Sequence, residues 1–416
     1  MRQFPDGFLW GASTAGHQVE GNNRNSDLWL LEQLPVTLFK EPSGLACNSY
    51  EMWEDDLDLA QSIGLNTYRF SVEWARVEPE RGRYSQEALD HYAAIVRGCR
   101  SRGLEPVVTY NHFVAPLWFT AGGGWLSPDS SVLFASYCTV VTRALGDGIS
   151  WAMTMNEPNI RNILDHAGLP EFLHGLLVRM LQCAEDELGV ERFRGVQFFL
   201  PEDAEAMRDA LAVGHRAARA AIKAVAPHIK VGLGLAMMDD VAVGEAPALA
   251  RKRRDCYDTW LELAKEDDFI GVQNYSRALF GPDGLLPVPA GAPRNQGGEE
   301  TYAPSLANCV RYAHAQTGVP VFITEHGLST ADDRRRVEFI VASLAHLHDV
   351  IESGLPVIGY CHWSLLDNFE WVAGYEPEFG LVAVDEISFE RTPKPSAGVY
   401  GAIARSNGLS HIGEER

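Results

Sequence analysis

The sequence predicts an α/β protein built as a single (β/α)8 barrel, with its active site at the C-terminal ends of the strands. Eight short apolar runs recur along the 416 residues, and longer amphipathic segments separate them. Strands and helices that alternate in this way are typical of βαβ units in a parallel sheet. Each run is apolar throughout, as expected of strands covered on both faces. One barrel domain can include residues 1–416 if its loops are long.

The eight predicted strands are rich in the Val, Ile, Phe and Tyr residues that strands favour. They cover residues 8–13, 66–71, 106–112, 151–156, 230–237, 268–275, 320–326 and 356–364. Eight strands with helices between them favour a closed barrel over an open, doubly wound sheet.

Two crossover helices can be placed from their apolar periodicity, in segments 50–64 and 85–103. The first has five apolar residues that should face inward. They are Met52, Leu57, Leu59, Ala60 and Ile63. Both segments end in a glycine shortly before the next strand, which is where glycine commonly closes a helix.

Two other segments can be placed from their composition. The Gly- and Pro-rich stretch 281–300 is predicted to be a long loop of the barrel. Segment 159–202 is apolar enough to be helical, and packing against the barrel is favoured over a lid or an interface. Neither segment has the character of a linker between domains.

Charge and cysteine usage exclude several classes of protein. A formal net charge of -21 repels nucleic acid and anionic membrane surfaces. The seven cysteines are spaced singly, without a C-x-x-C pair, so the sequence predicts no zinc site and no disulfide framework. No metal and no cofactor is expected. The sequence shows neither a signal peptide nor an apolar run long enough for a membrane span, and a reducing cytoplasm is the predicted location.

Polar side chains cluster at the predicted C-terminal ends of the strands, where such barrels carry their chemistry. They are Gln18, Arg69, His112, Asn156, Glu157, Tyr275, Glu325, Trp363, Glu370 and Trp371. Three carboxylates, two amides and several aromatic rings are suited to a polyol, which is bound by hydrogen bonds and by contact with its C–H face. The set therefore predicts a sugar site.

Each of these residues also has a simpler interpretation. Asn156 and Glu157 could cap the following helix, and Glu325 could be an ordinary ion-pair partner of Arg69. His112 alone could be a histidine whose hydrogen bonds are satisfied within the barrel. Trp363 and Trp371 could serve only in packing. These interpretations weaken because all the residues fall at one end of one predicted barrel.

Five motifs resemble those of the family 1 glycoside hydrolases, the retaining β-glucosidases and their relatives. They are "FLWGASTAGHQVEG", "YRFSVEWARVEP", "MTMNEP", "ITEHG" and "GYCHWSLLDNFEW". They occur in family order and cover nearly the whole chain. A single N-E-P is weak, whereas five motifs at successive strand ends are specific.

The resemblance implies a retaining β-glycosidase, favouring a β-glucosidase that acts on the terminal unphosphorylated sugar of a small β-glycoside. It assigns Glu157 as general acid/base and Glu325 as nucleophile, supported by Arg69 and Tyr275. Retaining chemistry requires the two carboxyl groups to lie about 5 to 5.5 Å apart, so one proton should be shared, with Glu157 as its holder. The sugar-binding positions are Gln18, His112, Asn156, Trp363, Glu370, Trp371 and Phe379.

The chain departs from the family pattern at four positions. His326 and Gln273 stand where Asn is usual, and both are expected to influence Glu325. Phe113 and Asn159 stand where Trp is common. Two other functions remain open, namely a transglycosylase that uses the same two glutamates and a sugar-binding barrel without catalysis. The oligomeric state, including a homo-oligomer, is also open.

Overall fold

The eight predicted strands form one closed parallel barrel. The computed structural model describes residues 2–168 and 171–409. The strands of the described part are β1 (Leu9–Ser13), β2 (Thr67–Ser71), β3 (Glu105–Thr109), β4 (Trp151–Asn156), β5 (Lys230–Ala236), β6 (Asp239–Ala242), β7 (Phe269–Asn274), β8 (Arg277–Gly281), β9 (Gly284–Leu285), β10 (Val321–His326), β11 (Val357–Trp363), β12 (Val382–Val384) and β13 (Arg391–Pro393). The barrel order is β1-β11-β10-β7-β5-β4-β3-β2, which confirms the predicted fold.

Helices surround the barrel and connect its strands. In the described part they are α1 (Gly16–Val19), α2 (Asp27–Gln33), α3 (Ser49–Ile63), α4 (Trp74–Val77), α5 (Gln86–Ser101), α6 (Leu117–Ala121), α7 (Ser130–Leu145), α8 (Ile160–Ala167), α9 (Glu171–Leu188), α10 (Ala204–Val225), α11 (Pro247–Arg253), α12 (Thr259–Ala264), α13 (Ser305–Thr317), α14 (Asp333–Glu352) and α15 (Pro395–Ser406). The two helices placed from sequence are α3 and α5. Gly64 closes α3 with a φ of 99°, as its position predicted.

An apolar layer fills the barrel interior below the polar strand ends. It consists of buried side chains from five strands, namely Val107, Met153, Phe269, Phe322 and Cys361. Further along the same strands toward their C-terminal ends lie Asn156, Gln273 and Glu325. Apolar packing thus provides a rigid floor for the polar layer above it.

Three sequence expectations are modified. Within α3, Leu57, Ala60 and Ile63 are buried as predicted, whereas Leu59 and Met52 are only half-buried, and the helix is kinked at Met52. Strand β9 lies within the stretch predicted as a loop, where it pairs with β8 in a small sheet. The strand predicted over 106–112 ends at Thr109.

Segment 159–202 contains helices α8 and α9, as expected. Helix α9 packs Leu177, Met180 and Leu181 against Leu28 and Leu31 of α2 in a second core cluster. This helix therefore packs against α2, while other side chains of the segment line the cavity described below.

Two findings concern membrane insertion and disulfide bonding. Within residues 2–168 and 171–409, no helix combines the length and the apolar character that a membrane span requires. All seven cysteines lie within those ranges, and none is paired in a disulfide.

Closure of the barrel depends on the absence of a side chain at Gly359. This residue pairs with Leu9 across the β1–β11 seam, and a Cβ atom there would lie 2.5 Å from the Leu9 carbonyl oxygen. We expect Gly359→Ala to lower the thermal unfolding midpoint by several degrees, since overpacking costs about 1–3 kcal/mol. Gly398→Ala is the matched control, because that exposed glycine of α15 has open space around its Cβ position. Equal midpoints for the two variants would contradict this account of the seam.

Candidate active site

A cavity of about 600 Å3 opens at the C-terminal ends of the strands. Ten of the eleven residues predicted for the site line it. They are Gln18, His112, Asn156, Glu157, Tyr275, Glu325, Trp363, Glu370, Trp371 and Phe379. The eleventh, Arg69, is fully buried and reaches this layer through its hydrogen bonds. The fold therefore brings the predicted set together in one place.

The Glu325 carboxylate is held by three donors. Arg69 Nη1 lies 2.5 Å from Oε1, and Gln273 Nε2 lies 3.0 Å from the same oxygen. The Tyr275 hydroxyl donates to Oε2 at 2.7 Å. Both oxygens are thus fixed, one of them by a buried cation. The ion pair between Arg69 and Glu325, raised from sequence as a simpler interpretation, exists as part of this larger arrangement.

The Glu157 carboxyl has a different environment. Within the described residues its oxygens have no hydrogen-bond partner, although the side chain is buried and lines the cavity. Its backbone is held in the left-handed region, with a φ of 41°, and its N–H donates to the Gly234 carbonyl of β5 at 2.8 Å. The main chain therefore fixes this acid while its carboxyl remains free to react.

These environments affect the pKa values of Glu157 and Glu325 differently. Burial, followed by the charge of Glu325, raises the pKa of Glu157 well above its ordinary value. Burial also raises the pKa of Glu325, but the charge of Arg69 and hydrogen bonds from Arg69 and Tyr275 oppose that rise. The shared proton therefore resides on Glu157, and Glu325 carries the charge.

Asn156 does not cap the following helix. Its Oδ1 accepts from Arg69 Nη2 at 2.5 Å and from Gln273 Nε2 at 2.7 Å, and its Nδ2 has no partner among the described residues. Helix α8 has Asn159 at its N-cap position, without a side-chain capping bond. The capping interpretation is thus wrong, and a free amide donor faces the cavity that Asn156 lines.

The opposite side of the cavity combines amide, carboxyl and indole groups. Gln18 Nε2 donates to Asn368 Oδ1 at 2.9 Å and to the Phe369 carbonyl at 2.8 Å, which leaves Oε1 without a partner in the described structure. Trp363 Nε1 donates to Glu370 Oε1 at 3.1 Å. Burial raises the pKa of Glu370 to about 8. This wall therefore offers both hydrogen-bond donors and acceptors to a ligand.

His112 lies between the two indoles, with ring centroids 5.8 Å from Trp363 and 5.9 Å from Trp371. Burial, assisted by the charge of Arg69, lowers its pKa well below the ordinary value, so the imidazole is neutral. Its Nδ1 finds no partner in the described residues, contrary to a histidine satisfied within the barrel. On the far side, Phe379 packs edge-on against Tyr275 at 5.7 Å.

The departures noted in the sequence have different outcomes. Gln273, which was not placed in the predicted site, lines the cavity and contacts both Glu325 and Asn156. His326 faces the other way, where its Nδ1 lies 2.9 Å from the Tyr360 hydroxyl and its ring stacks on Phe339. Strand alternation explains the difference, since neighbouring residues point to opposite faces. The His326 side chain therefore makes no hydrogen bond to Glu325 among the described residues, and its effect on Glu325 stays open.

Of the two residues that stand where Trp is common, only Phe113 lines the cavity. Asn159 is fully buried, and its amide exchanges hydrogen bonds with the main chain of Ala236, at 2.8 Å and 3.1 Å. It is not among the residues that line the cavity, whereas Phe113 is. Phe113 therefore retains an aromatic ring at the site, and Asn159 joins the ends of β4 and β5 instead.

Comparison with known proteins gives one consistent result. The family model "Glycosyl hydrolase family 1" matches residues 1–173 and 291–409. The beta-glucosidase of Agrobacterium sp. is 30% identical, covering 97% of this chain and 95% of that protein. Beta-glucosidase A of Thermotoga maritima is 28% identical, covering 98% and 99%. The crystal structure of beta-glycosidase BGL167 is 44% identical with a TM-score of 0.93, covering 97% and 98% of the two chains.

The effect of the Glu325 charge on the pKa of Glu157 can be measured. We expect Glu325→Gln to lower the pKa of Glu157, because it removes the neighbouring charge that raises it. Glu370→Gln should lower it less, since Glu370 is a weaker influence on the same carboxyl. NMR titration of carboxyl-labelled glutamate measures both changes. An unshifted Glu157 resonance in the Glu325 variant would show that the two groups are not coupled.

Proposed function

The chain belongs to glycosyl hydrolase family 1 and is a retaining β-glycosidase, and we propose that Glu157 is its general acid/base and Glu325 its nucleophile. One observation carries these roles. Glu325 receives three hydrogen bonds, including one from a buried guanidinium, whereas the Glu157 carboxyl receives none from the described residues. The first environment favours an anion, and the second favours a proton donor.

The first displacement forms a bond between a Glu325 oxygen and the anomeric carbon. The bond from that carbon to the leaving oxygen breaks, and Glu157 gives its proton to this oxygen. A covalent glycosyl-enzyme results. Fixing the carboxylate before substrate arrives reduces the reorganisation that the reaction would otherwise require.

The second displacement uses the same residue as a base. Once Glu325 is esterified its charge is lost, and that charge contributes to the high pKa of Glu157. The pKa of Glu157 therefore falls, and its carboxylate takes a proton from the water that attacks the anomeric carbon. The product retains the β configuration because two inversions have occurred.

We propose that the free polar atoms of the cavity bind the hydroxyls of a glucosyl unit. Asn156 Nδ2, Gln18 Oε1 and His112 Nδ1 lack partners in the described structure, and a buried polar atom without a partner is costly. Asn156 would serve the 2-hydroxyl, where contacts strengthen in the transition state. Trp363 and Trp371 would contact the apolar face of the sugar.

An unphosphorylated sugar fits this chemistry. A 6-phosphate would bring a charge of roughly -1.5 to -2 toward Glu370, a buried carboxyl whose pKa of about 8 leaves it mostly uncharged at neutral pH and unable to offset that charge. Arg161 is the one cationic side chain among the described lining residues, and it is paired with Asp165 at 2.9 Å. The free cation that a phosphate needs is therefore not provided there.

We also propose that residues 1–416 form a single domain located in a reducing cytoplasm. Strands β1 and β11, which are far apart in the sequence, pair in the same barrel, and this supports a single domain.

The proposed location rests on other observations. Seven unpaired cysteines suit a reducing compartment, and a human relative is named cytosolic beta-glucosidase.

Azide rescue assigns the two roles separately. With 2,4-dinitrophenyl β-D-glucoside, we expect Glu325→Ala and Glu157→Ala to lose turnover by several orders of magnitude, and azide to restore part of it in both. The Glu325 variant should then yield the α-glucosyl azide by direct displacement. The Glu157 variant should yield the β-azide, because azide attacks the glycosyl-enzyme. NMR of the products distinguishes these outcomes, and Glu262→Ala, an exposed site on α12, is the control. Exchanged anomers would reverse the assignment.

A further inference from the structure

The cavity has two chemically different halves. Its floor at the strand ends is polar, whereas the wall that rises from it is aliphatic. The side chains of this wall, here called the aliphatic wall, are Leu38, Ile160, Ile163, Leu164, Leu173, Leu177, Met237, Met238 and Val372. Resting on the proposed function, we infer that the aliphatic wall is the leaving-group site and accepts an extended, uncharged apolar aglycone rather than a second sugar.

The wall adjoins the acid that protonates the leaving oxygen. Helix α8, which carries Ile160, Ile163 and Leu164, begins three residues after Glu157. Met237 and Met238 follow β5, and the Gly234 carbonyl of that strand accepts the Glu157 N–H. A glycoside whose sugar occupies the polar floor and whose leaving oxygen meets Glu157 would therefore extend along these side chains.

Part of the wall is exposed in the free protein. Leu164 and Val372 are each 42% exposed, although both are large apolar residues. Covering such surface with an apolar group is favourable in proportion to the area removed from water. An alkyl or fused-ring aglycone provides that cover, and a hydroxylated sugar ring provides little of it.

Few polar groups lie on the leaving-group side. Arg161 Nε donates to Asp165 at 3.0 Å, which leaves its Nη2 without a hydrogen-bond partner in the described structure, and Glu299 accepts from Asn295 at 3.0 Å. A sugar also favours an aromatic platform, but Asn159, which stands where a Trp is frequent, is bonded to the main chain outside the cavity lining. Phe198 lines the cavity, but its ring packs against Phe39 in the second core cluster. Gln197 and Ser276 add one amide and one hydroxyl among the described lining residues, too little for the several hydroxyls of a second sugar.

Family membership alone does not fix this wall. The family model leaves residues 174–290 unmatched. That stretch supplies Leu177, Met237 and Met238, whereas the other residues of the aliphatic wall lie in the matched ranges. The preference of the wall therefore has to be tested on this chain.

A series of n-alkyl β-D-glucosides, from methyl to octyl and below their micelle concentrations, tests the inference. Their leaving alcohols have similar basicity, so differences in kcat/KM report contacts with the wall. We expect kcat/KM to rise by roughly two- to fourfold for each added methylene, as burial of a CH2 group predicts. The octyl compound should exceed cellobiose by roughly tenfold or more. A flat series, or a preference for cellobiose, would overturn the inference.

Two leucines provide a matched pair of variants. Leu164 lies in the wall and is 42% exposed, and Leu285 of β9 is 43% exposed but is not among the cavity-lining residues. We expect Leu164→Gln to reduce the dependence of kcat/KM on chain length and Leu285→Gln to retain it. Equal slopes in the two variants would contradict the placement of the aglycone.

Affinity measurements with thioglucosides test the aglycone inference independently of the proposed catalytic function. Methyl and hexyl 1-thio-β-D-glucosides are resistant to hydrolysis, and calorimetry measures their affinity without turnover. Tighter binding of the hexyl compound by roughly 30-fold or more, as five added methylenes predict, even without hydrolysis of any glycoside, would support the wall and refute the catalytic proposal. Hydrolysis of an aryl glucoside, combined with equal binding of the two thioglucosides, would refute the wall alone.

Discussion

The site depends on the hydrogen bonds that the buried Arg69 guanidinium donates to side chains of three strands. Arg69 is fully buried, and it donates to Thr109 Oγ1 at 3.1 Å, to Asn156 Oδ1 at 2.5 Å and to Glu325 Oε1 at 2.5 Å. A buried cation must be paired, and removal of a partner costs about 3–5 kcal/mol. Because Thr109, Asn156 and Glu325 lie on β3, β4 and β10, one buried cation joins the proposed nucleophile and the proposed sugar-binding amide to the strands that carry them.

The same contacts determine where the proton resides. Arg69 keeps Glu325 anionic, and that anion helps to raise the pKa of Glu157. Burial and the charge of Glu325 raise the pKa of Glu157, whereas Arg69 opposes the rise at Glu325, so the two environments suit the proposed acid and the proposed nucleophile. Gln273 strengthens the arrangement, since its Nε2 donates to both Glu325 and Asn156. The longer side chain at this position fits beside Gly234, where a Cβ atom would lie 2.8 Å from the amide nitrogen.

The sequence predicted the barrel and most of the floor of the site because both follow from local pattern. Continuous apolar runs identified the strands, and polar residues at their ends identified the chemistry. Strand alternation predicts that His326, which directly follows Glu325, points away from the cavity, whereas Gln273 points into it. The family pattern alone does not distinguish these two positions. Met52 was misplaced because periodicity does not reveal a kink. The aliphatic wall was missed because it combines residues between 38 and 372, which only the tertiary fold brings together.

Covalent labelling tests the central claim, that Glu325 is the ionised nucleophile held ready by Arg69. A 2-deoxy-2-fluoro-β-D-glucoside with a dinitrophenolate leaving group should form the glycosyl-enzyme faster than it is hydrolysed, because fluorine at C2 disfavours the positive charge of the transition state. Mass spectrometry of the digested protein should then locate one fluoroglucosyl group on Glu325. Labelling of Glu157, or no adduct together with an α-configured first product from an ordinary β-glucoside, would contradict the account.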